Sequence, residues 1–216
     1  MKTKLNKIRK PKKPPKRGVI LRNALLFLLL GVILGIFAKW LDELALDSRI
    51  WWHLIIEKLD LVNVFSGLPI WLTITLAISV FSGGPGRAAL YSFLFLLGMC
   101  ASYHAYTVLF AGFNPDRYMM IWYGITALSP LLAVLCWYGK SAANAAIALD
   151  TLIMAVMAAS CFSLGWVYIG LNGAINAFLF AISAVILCKK PKQIIISTLG
   201  GVALAVAVTP LLAFSL

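Results

Sequence analysis

The stretch Arg22–Glu43, RNALLFLLLGVILGIFAKWLDE, decides the fold. No charge falls between Arg22 and Lys39. As a helix, Ala24 to Trp40 would be about 25 Å long, close to the ~30 Å hydrocarbon core of a bilayer. A run this apolar reads as a membrane span. What precedes it gives the span a direction. Lys2, Lys4, Lys7, Arg9, Lys10, Lys12, Lys13, Lys16, Arg17 and Arg22 come before it with no acid among them, and Pro11, Pro14 and Pro15 oppose a helix there. A basic, disordered tail over residues 1–22 ahead of an apolar run is a topogenic signal that stays in the cytoplasm. Such a tail also adheres to anionic lipid headgroups, at about 1 kcal/mol per basic residue near the surface. The run ends in Lys39, Trp40, Asp42 and Glu43 rather than in a small-residue cleavage site, so it is expected to stay as a signal anchor.

The whole composition agrees. Of 216 residues 62% are apolar and 12% charged, against roughly 45–50% and 25% in soluble domains. The net charge of +12 would suggest nucleic acid if it were spread over a surface, but ten of the nineteen basic residues sit in the tail, so no nucleic-acid partner is expected. Cys100, Cys136, Cys161 and Cys188 all lie in apolar runs without a C-x-x-C, and His53 and His104 are the only histidines. Neither a disulfide framework nor a metal site is expected.

Further apolar runs cover Gly67–Ser82, Ala88–Phe110, Tyr118–Tyr138, Ala143–Leu164, Tyr168–Cys188 and Ile194–Phe214. With the first run they predict an all-α bundle of about seven spans over residues 23–216, the N-terminus inside and the C-terminus outside. Turn signals separate them at Gly83-Gly84-Pro85-Gly86, Gly112–Pro115, Gly139–Ala142, Gly165–Gly173 and Pro191. Segment 44–64 differs: its charges alternate with apolar residues at near-helical spacing from Arg49 to Val64, predicting one amphipathic helix lying in the interface. With this count fifteen of the nineteen basic residues lie inside, leaving Lys39, Arg49, Lys58 and Arg117 outside with six of the seven acids. That segregation is the positive-inside pattern of a multi-pass membrane protein.

Asp150 is the one acid inside a span, roughly 10 Å below the cytoplasmic edge by residue count. A lone carboxylate there must face the bundle, a polar cavity or a proton. Thr75, Ser129 and Ser183 fall at similar depth, with Gly31 and Gly200-Gly201. Near the outer face, Lys39 and Asp42 are i, i+3 on one helix and can pair. His104, Tyr123, Asn172 and Asn176 fall at comparable depth, the two asparagines i, i+4 on the sixth span. Together these residues could line a site for a small polar solute; the alternative is snorkelling and headgroup contact. Gly31-x-x-x-Gly35 forms a small-residue face for close helix packing, inside the chain or against a partner subunit. No catalytic template occurs: there is no G-x-S-x-G, no H-E-x-x-H, and the glycines of Ser82–Arg87 lack the Lys-Ser/Thr of a phosphate loop. Nothing in the sequence supports an enzyme activity, and no cofactor is expected.

GVILGIFAKWLD (31–42), FLFLLGMCASYH (93–104) and SPLLAVLCWYGK (129–140) resemble segments of a family of small bacterial multi-pass membrane proteins whose domain has no known function. The resemblance covers residues 30–140 and implies the membrane fold without an activity. A looser resemblance is to the substrate-binding S-components of vitamin transporters, which have six spans where seven are counted here. Two functions remain: binding or moving a small polar solute through Asp150 and the outer layer, or a non-catalytic scaffold that assembles through the Gly31/Gly35 face.

Overall fold

A computed structural model describes residues 8–141, 144–187 and 190–213. Lys2, Lys4, Lys7, Cys188 and Lys189 lie outside the described residues. Among the described residues the fold is all-α apart from one short hairpin. Helix α1 (Arg17–Glu43) is the longest. The segment expected to lie in the interface carries α2 (Trp51–Lys58) and α3 (Leu61–Ser66). Then come α4 (Leu68–Phe81), α5 (Pro85–Tyr106), α6 (Asp116–Gly139) and α7 (Asn144–Cys161). A hairpin of β1 (Phe162–Leu164) and β2 (Ile169–Leu171) leads into α8 (Ala174–Leu187) and α9 (Pro191–Ala213).

Four of these helices are long and apolar enough to cross a membrane: α1, α5 with the turn that extends it, α6 and α9. Three shorter apolar helices, α4, α7 and α8, lie among them. The side-chain pattern of α1 is the reverse of a soluble helix. Gly31, Gly35 and Ala38 face inward, while Leu25 (51% exposed) and Ile33 (62%) face out. The outer faces of α6, α7 and α9 likewise present Leu131, Leu152 and Leu199. A continuous surface of large aliphatic side chains fits lipid rather than water.

Close approach explains the inward glycines. A Cβ on Gly31 would stand 2.0 Å from the Phe95 carbonyl oxygen, and one on Gly35 would stand 2.4 Å from that of Met99. Gly98 reciprocates on α5, where a Cβ would meet the Leu28 carbonyl at 2.5 Å. Backbone therefore meets backbone along α1 and α5, and the small-residue face is filled from within this chain. Beside that contact Trp71, Tyr91, Phe95 and Met99 form the largest core cluster.

The interfacial segment breaks where one helix was expected. Asp60 takes a left-handed backbone (φ 51°), the only non-glycine residue to do so among those described, and Asn63 Nδ2 donates to its Oδ1 at 2.8 Å. Local hydrogen bonding is what lets an aspartate hold that conformation, and it ends α2 before α3 begins. The turn expected at Gly165–Gly173 is the hairpin, with Phe162 opposite Leu171 in antiparallel register. Pro130 is accommodated inside α6 without ending it.

The basic tail is more ordered than its composition predicts. Residues 9–16 are non-helical, as the prolines require, but helix begins at Arg17 rather than after Arg22. Ahead of it a strap crosses one end of the bundle. Arg9 donates to the Trp137 carbonyl (2.6 Å) and the Val80 carbonyl (2.9 Å), and its guanidinium lies 4.4 Å from the Trp137 ring centre. The Lys12 amide donates to Gly83 O at 2.8 Å, and Ser141 Oγ donates to Ile8 O. Arg9 thus supplies donors to the last turns of α4 and α6, where helix carbonyls lack partners. Burial pushes the Arg9 guanidinium below its usual pKa, yet arginine remains charged.

Candidate functional site

The polar residues singled out by sequence fall into two groups, at opposite ends of the bundle. The inner group is built on Asp150. Its side chain is fully buried, and Gln193 Nε2, from the first turns of α9, donates to Oδ2. The same amide donates to the Ser141 carbonyl at 3.1 Å. Asp150 Oδ1 has no hydrogen-bond partner. Gly139 makes room for it, since a Cβ there would stand 2.7 Å from Oδ1. Lys140, next along, donates from Nζ to the Ile186 carbonyl and so ties the end of α6 to the end of α8. Gln193 is the partner that sequence reading missed: a polar residue in the first turn of a span looks like a headgroup contact, and nothing local marks it as reaching Asp150.

The outer group joins Lys39, Asp42 and His104 to aromatic hydroxyls, though not with the expected pairing. Lys39 pairs with Glu43 at 3.3 Å, one position beyond Asp42. Its Nζ lies 5.6 Å and 5.3 Å from the ring centres of Tyr103 and Phe113. Asp42 is already engaged, since Tyr103 OH donates to Oδ2 at 2.5 Å and Ser66 Oγ to Oδ1 at 2.6 Å. Those bonds fasten α1 to α5 and α3. His104 stands between Asn114 Oδ1 (2.8 Å from Nε2) and Tyr123 OH (3.1 Å from Nδ1). The Asn114 oxygen can only accept, so Nε2 donates to it.

Asn172 and Asn176 do not join this layer. Asn172 lies after β2 and before α8 starts, so the two are not on one helix. Its Oδ1 accepts from Ser163 Oγ (2.5 Å), and its carbonyl accepts from Asn176 Nδ2 (3.0 Å). These bonds brace the hairpin. Among the described residues no three histidine, cysteine or acidic side chains cluster as metal ligands would.

Between the two polar groups lies a cavity of about 160 Å³ among α4, α6 and α7. Trp71, Trp122, Leu132 and Val156 contribute to its apolar walls, with the hydroxyls of Thr75 and Ser129 beside them. Ser129 Oγ donates to the Thr126 carbonyl at 2.8 Å, whereas Thr75 Oγ1 is buried without a partner. Ser183, expected at the same depth, is turned away and bonds Thr73 (3.2 Å). Cys136 and Ile153 also line the cavity, one turn along their helices from Gly139 and Asp150, so the cavity reaches close to the buried carboxylate without including it.

Comparison with protein-family models, with curated proteins and with solved structures gives no match for this chain.

Proposed function

We propose that the chain is a seven-span protein of the bacterial cytoplasmic membrane, N-terminus inside and C-terminus outside, that binds a small, mainly apolar solute between α4, α6 and α7. The span count treats α4, α7 and α8 as crossing helices together with the four longer ones. Fourteen residues reach only about 21 Å, so α4 and α8 need the bilayer to thin locally or their flanking segments to fill the rest. In support, hydrogen bonds gather the tail and the ends of α4, α6, α8 and α9 at one pole, as alternating spans would. The charge segregation of the sequence agrees.

The observation that carries the binding reading is the cavity with its unpartnered Thr75 hydroxyl. An apolar cavity of about 150 Å³ stays dry and accepts a benzene-sized guest. A lining with so few polar groups does not hydrate a polar solute, which moves the proposed ligand from the polar class to the apolar one. One hydroxyl would orient such a guest through a single hydrogen bond. Asp150 and Gln193 then act beside the site, holding α7 against α9.

The test uses the full chain in nanodiscs and a diazirine-bearing aliphatic alcohol as photoprobe. Labelling is expected to concentrate on α4, α6 and α7 residues of the cavity. Thr75→Val should weaken it two- to tenfold, the worth of one hydrogen bond of about 0.5–1.5 kcal/mol, and Ala133→Phe should block it. Labelling spread evenly over lipid-facing positions such as Leu131 and Leu199, and indifferent to Thr75→Val, would contradict the proposal.

A further inference from the structure

A second opening, of about 380 Å³, lies where the first turns of α1 meet the end of α4 and the start of α5. Its polar rim and apolar wall are distinct. On the rim stand Asn23, Arg87 and Tyr91. Arg87 donates one bond, from Nη2 to the Lys12 carbonyl at 3.1 Å, leaving most of its five N–H groups unengaged within the chain. Neither the Asn23 amide nor the Tyr91 hydroxyl has a hydrogen-bond partner among the described residues. Three side chains thus offer donors to one space. Phe27, Ile78 and Phe81 line the same space as an apolar wall, and Phe81 is 69% exposed.

Charge is uniform around this space. No acid occurs before Asp42 or between Asp60 and Asp116, so none of the helices that build the groove contributes a carboxylate near it. Lys12, Lys13, Lys16, Arg17 and Arg22 come from the strap and the start of α1. The rim therefore attracts an anion, and its guanidinium matches the oxygens of a phosphate. An apolar wall beside these donors, with Phe81 exposed, suits an acyl chain rather than a water-soluble phosphate compound.

We propose that this groove binds one anionic phospholipid, with its phosphate on Arg87, Asn23 and Tyr91 and an acyl chain along Phe27, Ile78 and Phe81. The assignment is independent of what the cavity between α4, α6 and α7 holds. It differs from attraction to the tail at large, because it requires a defined stoichiometry and particular donors.

Native mass spectrometry of the full chain, released from nanodiscs of equal phosphatidylglycerol and phosphatidylcholine, tests it. One phosphatidylglycerol per chain should be retained in preference to phosphatidylcholine. Arg87→Gln should reduce that retention about tenfold and Tyr91→Phe by less, as loss of a charge-assisted and of a neutral hydrogen bond requires. Arg87→Lys, which keeps the charge and controls for folding, should retain an intermediate amount. Replacing Lys10 and Lys13 together by glutamine should leave the single bound lipid in place. Equal retention of the two lipids would overturn the proposal, as would a loss with the Lys10/Lys13 variant as large as with Arg87→Gln. Displacement of the lipid by inorganic phosphate alone would overturn the lipid assignment in favour of a free phosphate site.

Discussion

Asp150 is fastened by one side-chain amide. Gln193 Nε2 satisfies Oδ2, while Oδ1 stays without a partner in the space left by Gly139. Burying a charge with so few donors costs more than burying a neutral amide. Asp150→Asn keeps an oxygen for Gln193 and removes the charge. It should therefore melt at the same temperature as the parent or higher, by circular dichroism in detergent. Asp150→Leu leaves the Gln193 amide only its bond to the Ser141 carbonyl and should lose about 1–3 kcal/mol, the penalty of an unsatisfied buried N–H. An Asn variant that melts well below the parent would mean that the native carboxylate is charged and stabilised. The importance of Asp150 was legible because it is the one acid in an apolar run. Its partner was not, since Gln193 is 43 positions away and helix–helix contact alone brings the two together. The Lys39 pairing teaches the same lesson. Spacing allowed both Asp42 and Glu43, and the choice was made by Tyr103 and Ser66, which occupy Asp42 from other elements.

At the scale of elements, the strap is the feature with most consequence for stability. Charge and proline content describe residues 1–22 as a free tail, and composition holds no trace of a docking partner. The partners are main-chain carbonyls at the ends of α4 and α6, which every helix leaves open and no sequence pattern advertises. Arg9→Ala removes both bonds and the contact with Trp137. Hydrogen exchange at the Lys12 amide, which donates to Gly83, should then rise toward the rate of a free peptide. Global stability should fall by about 1–3 kcal/mol, the lower end being favoured by the partial exposure of the site. Unchanged protection at Lys12 would show that Arg9 does not hold the strap. The α1–α5 contact is the opposite case. Gly31 and Gly35 announced a close approach from sequence, and only the identity of the opposing helix was missing. The amphipathic segment was also half legible: its periodicity is real on both sides of Asp60, but a single left-handed residue breaks the helix, and periodicity does not register a backbone angle.

For the whole molecule the decisive pattern is large aliphatic residues on the outer surface, with small residues turned inward where α1 meets α5. Apolar runs in the sequence marked where the helices lie, four of them long and apolar enough to cross a membrane, because a bilayer core requires about 20 apolar residues of a helical span. The cavity was not legible. Its walls come from three helices, and residues such as Trp71 and Leu132 look the same in sequence whether they line a void or touch lipid. Labelling with a membrane-impermeant maleimide tests the proposed membrane arrangement most directly. A cysteine at Lys10, exposed beside the strap, and one at Val167, 97% exposed at the hairpin tip, report on the two ends, with the parent chain as the blank. In intact cells the Val167 cysteine should react at once, and the Lys10 cysteine only after the membrane is opened. Reaction of both from outside, or of Lys10 alone, would contradict the seven-span arrangement.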